Sequence, residues 1–422
     1  MVHWCNRCRC AFAILAALSI AICGANSAEH ERGNVSEDGR RNPFEPPRLT
    51  AISALLVDVR TGTVLYELNP TKRSYPASLT KLMTALLIVE RGNLDEVVSV
   101  PKEATLIGES SANLKEGELV TLRQLLYLVL VRSANDACVA AAIHIAGSVD
   151  SFVKMMNERA LELGAQDTHF CNPHGLHHKD HYTTALDLLR IAMAALSYGE
   201  IRRAVSTITF EMPPTNKSPA RVFRNRNRLL WEYEGADGVK TGYTIPAGRC
   251  LIATATRNGW QLMAIVLKSE DAFKDAAALL DFGFSTFVCL PIAVAGQVIA
   301  NFAIHGGVPS CIPALPRRSF YAVVRRDEIN KVGWRIHQKP FELPIRKGDV
   351  VGYIEVTSPR ASRHLIELIS GCDVALSTSS LLGRAVGRLS IAVLIAICLA
   401  ALLKFFQTAR IRAVLGSLLR RG

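Results

Sequence analysis

Tyr75-Pro76-Ala77-Ser78-Leu79-Thr80-Lys81-Leu82-Met83-Thr84 is the stretch from which the rest of the chain can be read. Pro76 and Ser78 are residue types found at helix entrances, and Leu82, Ala85, Leu86 and Val89 continue at helical spacing toward an interior. Ser78 is therefore expected in a first turn, with Lys81 three positions on, over the same face. A serine hydroxyl attacks poorly unless a base takes its proton. A lysine serves as that base when burial or a second cation lowers its pKa. Alone, Ser-x-x-Lys is a short pattern, and Ser78 is equally placed to cap the helix.

On either side of this stretch the pattern is regular. Ala51 to Val59 is an apolar, β-branched run, Arg60-Thr61-Gly62-Thr63 a turn, and Val64 to Leu68 a second strand, so a hairpin leads into the Ser78 helix. Downstream, Thr121 to Val131 and Ala137 to Ala146 read as apolar helices separated by Arg132-Ser133-Ala134-Asn135-Asp136. A short polar turn between buried helices holds polar side chains still. If extended, it presents Ser133 and Asn135 on one side. Either residue could instead cap a helix. The same triplet type recurs as Ser111-Ala112-Asn113, but in a polar loop without flanking helices, and is read as a decoy.

Val149 to Leu163 and Thr183 to Leu196 are further amphipathic helices, and the loop between them holds His169, His174, His177, His178 and His181. Their spacing matches no metal-ligand set, and hydrogen bonding within the loop is the reading taken. Then comes Gly238-Val239-Lys240-Thr241-Gly242-Tyr243-Thr244, ahead of two runs, Cys250 to Thr256 and Leu262 to Leu267, joined through Asn258-Gly259. Lys240-Thr241-Gly242 is thus expected on a strand, where Gly242 lets a ligand backbone lie close. Lys240 supplies a cation that binds a carboxylate and lowers the pKa of Lys81.

Serine-x-x-lysine opening a helix, serine-x-asparagine between helices and lysine-threonine-glycine on a strand form the signature set of penicillin-recognising serine enzymes. The chain resembles the D-alanyl-D-alanine carboxypeptidases, the low-molecular-mass penicillin-binding proteins. The likeness extends to Phe170-Cys171-Asn172-Pro173-His174-Gly175-Leu176, to His181-Tyr182-Thr183-Thr184-Ala185, and to Asn225-Arg226-Asn227 with Leu229-Leu230. The resemblance implies an α/β (α+β) catalytic domain of β-lactamase/transpeptidase type, an antiparallel sheet flanked by helices. It implies that Ser78 attacks the bond between the terminal D-alanines of a peptidoglycan stem peptide, with Lys81 as base, Ser133 as proton relay and Asn135 orienting Lys81 and substrate. Lys240, Thr241, Gly242, Tyr243 and Arg226 are the implied substrate-binding residues, with the backbone N–H groups of Ser78 and Tyr243 as oxyanion hole. No cofactor or metal is implied, and β-lactams are implied as covalent inhibitors.

Two departures from that family stand out. Ala134 takes a position where relatives often have glycine. An arginine that relatives often carry at the start of the helix after the strand pair is missing from Ser269-Glu270-Asp271-Ala272-Phe273-Lys274-Asp275, so Lys274 or Arg226 must substitute. A β-lactamase fits less well, since that class has aspartate in its second motif. The remaining alternatives are a D,D-endopeptidase acting on crosslinks and a silent wall-binding scaffold on the same fold.

The chain has 422 residues, 49% of them hydrophobic and 20% charged, which describes a multidomain globular chain and excludes a disordered one. Arg7 and Arg9, the apolar run Ala11 to Cys23, and Ala25, Ser27 and Ala28 have the three-part layout of a secretory signal. The expected organisation is a signal peptide at 1–28, a linker at 29–48 and the catalytic domain at 49–286. A β-rich domain at 290–375, a membrane-anchoring or transmembrane helix at 389–406 and a basic cytoplasmic tail at 407–422 follow. That arrangement puts the catalytic domain on the external face of the cell membrane, held by its C-terminus through contact with lipid. The 11 cysteines are scattered, and Cys138 and Cys250 are read as buried small hydrophobes. The net charge of +12 receives contributions from both ends and carries no nucleic-acid footprint.

Overall fold

The computed structural model describes residues 45–379 apart from residue 360, together with residue 382 and residues 389–404. The expected signal peptide, most of the linker and the basic tail lie outside the described residues. The chain divides into two compact units, with the boundary between Cys289 and Leu290.

The first unit is built on a five-stranded sheet. Strand β1 (Ser53–Asp58) turns into β2 (Val64–Leu68), and the remaining strands come from far along the chain: β3 (Ala236–Thr244), β4 (Gly248–Arg257) and β5 (Trp260–Ser269). The order is β2-β1-β5-β4-β3, all antiparallel. β1 pairs with β5 from Ser53↔Leu267 to Asp58↔Leu262, so the amino-terminal hairpin completes the sheet across about half of the chain. Asn258 and Gly259, with φ of 52° and 73°, make the β4–β5 turn with both residues left-handed, as a tight hairpin requires.

Both faces of this sheet are covered, so its strands read as unbroken apolar runs instead of alternating ones. Leu55, Val57, Ile252, Ile265 and Leu267 enter a core shared with helices α1 (Lys81–Arg91), α3 (Asn135–Ala146), α4 (Val149–Glu162) and α5 (Ala185–Ser197). The intervening residues Leu56, Leu251, Ala264 and Val266 point the other way and are equally buried. Helix α7 (Ala272–Thr286) covers that face with Leu279 and Leu280.

Local signals account for the helix ends. Thr121 and Gln124 form a reciprocal capping box on α2 (Leu122–Tyr127), and Ser148 and Thr184 cap α4 and α5 by accepting from backbone N–H groups. The Thr121 to Val131 segment is not one uniform helix. After Tyr127 it widens into a turn of π-helix, Leu128–Arg132, which delivers Ser133 in a left-handed conformation (φ 63°, ψ 36°). The unit also contains helix α6 (Gly199–Ser206) and two strand pairs, Val97–Ser99 with Leu119–Thr121 and Thr209–Met212 with Arg221–Arg224.

The second unit holds a five-stranded antiparallel sheet. Its strands are β6 (Ala300–Ala303), β7 (Cys311–Pro316), β8 (Gly333–Gln338), β9 (Val350–Ser358) and β10 (Ala361–Ser370), in the order β6-β7-β10-β9-β8. Phe302, Ile312, Val351, Ile354, Val356, Ile366 and Leu368 fill its core, alternating at Ile354/Val356 and Ile366/Leu368, with the register shifted between Val350 and Gly352. Leu389–Lys404 is a short apolar helix. Among the described residues no single helix is long and apolar enough to cross a membrane.

Candidate active site

The segment before α1 differs from the expected α-helical first turn. Ala77–Thr80 is a 3-10 turn, and the α-helix begins at Lys81. Ala77 has φ 47°, a conformation that alanine adopts at a cost. It is held there from both sides. Thr80 Oγ1 donates to Ala77 O (2.8 Å), and the next strand presses close through Gly242, where a Cβ would sit 3.0 Å from Pro76 O and 3.2 Å from Ser78 N. Among the described residues the Ser78 hydroxyl is hydrogen-bonded to Lys81 Nζ and to no backbone N–H, so the capping interpretation is not the one realised.

Lys81 is fully buried, and its Nζ lies 3.0 Å from Ser78 Oγ, 2.8 Å from Asn135 Oδ1 and 2.6 Å from His174 O. Burial lowers its pKa to about 8, with Arg226 contributing repulsion; Cys138, Glu109 and Asp136 oppose the shift. Desolvation is the first cause of the low Lys81 pKa and Arg226 a contributing cation, while the repulsion between the Lys81 and Lys240 charges, which acts on both amines, is expressed on Lys240. Lys240 is itself held well below the usual lysine range, by burial first and then by the Lys81 charge.

Lys240 is 2% exposed, and its Nζ donates to Ser133 Oγ (2.9 Å) and to Thr241 O (2.8 Å). Ser133 and Asn135 are not presented side by side by an extended turn. The left-handed Ser133 faces Lys240, and Asn135, the first residue of α3, faces Lys81. Asn135 Nδ2 donates to Gly108 O (3.1 Å), which fixes Oδ1 toward the amine.

Ser78, Ser133, Asn135, Arg226, Thr241, Gly242 and Tyr243 line one cleft of about 630 Å³. Lys81 and Lys240 reach the Ser78 and Ser133 hydroxyls from beneath. Arg226 gives Nε to Arg132 O (3.1 Å), and burial and Arg132 lower its pKa. Lys274 is not among the lining residues. Arg249 is: this β4 residue donates to Glu270 O (2.7 Å), within the segment where the family arginine is absent.

The His174 carbonyl, Glu109, Arg132 and Arg249 were not singled out from the sequence, and for the first no signal existed, since the acceptor is backbone. The histidine loop is a hydrogen-bonded scaffold. Asn172 Oδ1 receives the N–H groups of His174 (3.3 Å) and Gly175 (2.6 Å). His181 Nδ1 accepts from Cys171 N (3.1 Å), so its Nε2 is the donor to Thr80 Oγ1 (2.8 Å), two residues after Ser78. Burial lowers both His174 and His181 to about 3, keeping the rings neutral. The second serine-x-asparagine copy also has a structural role: Ser111 Oγ (2.6 Å) and the N–H groups of Ala112 (3.0 Å) and Leu114 (3.1 Å) all bond to Asp136 Oδ2, tying the loop to α3.

Comparison with known proteins shows which family the chain resembles. The family described as D-alanyl-D-alanine carboxypeptidase matches residues 41–271. D-alanyl-D-alanine carboxypeptidase DacF of Bacillus subtilis is 35% identical over 313 residues, 72% of this chain and 80% of that protein. DacD of Escherichia coli is 34% identical over 336 residues, 74% of this chain and 84% of that protein. The crystal structure of penicillin binding protein 5 from Haemophilus influenzae is similar with a TM-score of 0.64 at 29% identity, covering 78% of this chain and 99% of that one.

Proposed function

The chain belongs to the D-alanyl-D-alanine carboxypeptidase family, and from that premise we propose that it is a serine hydrolase which removes the terminal D-alanine from peptidoglycan stem peptides through an acyl-enzyme on Ser78. The observation that carries the assignment is the environment of Lys81 Nζ. A neutral amine has two N–H bonds and one lone pair. Asn135 Oδ1 and His174 O can only accept, so they take the two N–H bonds and leave the lone pair for the Ser78 hydroxyl 3.0 Å away. With a pKa near 8, a useful fraction of Lys81 is neutral at ordinary pH.

The steps balance as follows. Lys81 takes the Ser78 proton as Oγ attacks the carbonyl between the two D-alanines. The N–H groups of Ser78 and Tyr243 stabilise the resulting oxyanion, a contribution of about 3 kcal/mol for one donor. The proton held on Lys81 is delivered through the Ser133 hydroxyl to the leaving nitrogen, the C–N bond breaks, and free D-alanine departs, leaving Lys81 neutral and Ser133 protonated. Water then attacks the ester on Ser78 while giving a proton to neutral Lys81, and return of that proton to Ser78 Oγ releases the shortened peptide and restores the serine. Thr241 and Arg226 bind the terminal carboxylate, and Lys240 acts from beneath through Ser133 and through its charge once that carboxylate arrives. Gly242 allows the peptide to lie against β3. A β-lactam enters the same path and stays on Ser78, because its leaving nitrogen remains attached.

The catalytic body, 49–286, lies outside the cytoplasmic membrane, with 290–375 as a β-rich accompanying domain and the C-terminal apolar helix as anchor. Support comes from the extracytoplasmic substrate, the apolar helix Leu389–Lys404 and the arginines at 410, 412, 420 and 421 that follow it. Truncation after residue 380 should release the protein from the membrane fraction. The enzymatic assignment is tested by mass spectrometry after penicillin treatment together with release of D-alanine from a D-Ala-D-Ala peptide. An adduct that maps to Ser78 is the expected result, and one that maps elsewhere overturns the nucleophile.

A further inference from the structure

The cleft carries an uneven distribution of charge. Arg132, Arg226 and Arg249 line it and Lys81 and Lys240 lie beneath, whereas among the described lining residues Glu109 contributes the one carboxylate. Glu109 is exposed, and its φ of 65° is a conformation that glycine adopts freely and glutamate at a cost. The residues on both sides are fastened to Asn135: Gly108 O accepts from Asn135 Nδ2 (3.1 Å) and Ser110 O accepts from Asn135 N (2.7 Å). Among the described residues no hydrogen bond or ion pair engages the carboxylate. The adjacent Arg132 gives its Nε to Ser111 O (3.2 Å) instead. Glu109 nonetheless lies within electrostatic reach of Lys81.

We propose that Glu109 selects peptides carrying a free amine on the side chain of the residue before the two D-alanines. This inference rests on the proposed function. In that reading the terminal carboxylate lies along β3 at Thr241, and the acyl half of the peptide passes the Asn135 carboxamide on the opposite wall. The loop fastened to Asn135 is where the preceding side chain arrives. A carboxylate held there complements a cationic amine, as the arginines complement the carboxylate end.

The test compares hydrolysis by the full-length chain of three peptides, acetyl-X-D-Ala-D-Ala with X as lysine, N-ε-acetyl-lysine or alanine. The wild type should show a kcat/KM for the lysine peptide about threefold to fivefold above that for the acetyl-lysine peptide, the size expected of an exposed charge pair, and the ratio should fall with added salt. Glu109→Gln keeps the shape and removes the charge, so it should bring the ratio to one. Any effect on the Lys81 pKa alters both peptides equally and cancels. A wild-type ratio of one, with all three peptides hydrolysed, overturns the inference and leaves the carboxypeptidase reading intact. Absence of hydrolysis of all three overturns both.

Discussion

Lys240 Nζ donates to Ser133 Oγ at 2.9 Å, joining residues 107 positions apart on a strand and on a left-handed turn. Ser133→Ala removes the hydroxyl that we assign to proton relay and leaves a buried amine short of one acceptor. Acylation by penicillin should slow by about 100-fold or more. The melt should report a loss of about 1–3 kcal/mol. Stopped-flow acylation within threefold of wild type would remove Ser133 from the mechanism.

Ser78→Ala should abolish the penicillin adduct at a stability cost of about 1 kcal/mol, the hydroxyl partner of the buried Lys81 Nζ being lost. Lys81→Arg should be nearly as inactive, because a guanidinium stays protonated and has no lone pair to offer. Retained turnover in Lys81→Arg contradicts the base assignment.

In the proposed mechanism the neutral amine of Lys81 is the active form, so kcat/KM should rise as pH climbs through about 8 and level off above. A profile that is flat from pH 6.5 to 9, measured with a neutral peptide, is incompatible with Lys81 as the base.

His174 and His181 have native pKa values near 3 against an ordinary 6.5. Below 6.5 the unfolded chain takes up protons that the native rings refuse, so stability is complete above that pH and declines as pH falls toward 3. Each ring contributes a slope of up to about 1.4 kcal/mol per pH unit. Thermal melts at pH 7.5 and 5 should show this decline, and His181→Gln should reduce it. Equal melting temperatures at the two values would contradict neutral burial.

Gly175 has φ 86°, and a Cβ there would lie 1.9 Å from Ala77 O. Gly175→Ala must therefore push the backbone one residue before the nucleophile. Acylation should fall at least tenfold, with about 1–3 kcal/mol of stability lost. A fully active, equally stable variant would show that the Ala77 geometry tolerates displacement.

The strands and helices of the first unit were legible because its apolar runs and turn residues are local signals. Asn258-Gly259 announced a hairpin by its own chemistry, and the apolar pattern from Thr121 announced a helix. The π-turn at Leu128–Arg132 was not legible, since its residues are ordinary helix formers and the wider turn is imposed by packing. The 3-10 turn at Ser78 was hidden for the same reason: residues from Gly175 and Gly242 crowd it from distant parts of the chain.

The sequence by itself determined which residue types are present at chemically useful spacing: a serine three before a lysine, a serine two before an asparagine, a lysine ahead of threonine and glycine. Only the tertiary structure decided how they pair. It gave Asn135 to Lys81 and Ser133 to Lys240, brought in the carbonyl of His174, put Arg249 beside Glu270, and left Glu109 alone among cations. The physical reason is that local spacing constrains direction along one helix or strand. Burial, pKa and charge neighbourhood depend on segments that meet only when β1 pairs with β5 and the sheet closes.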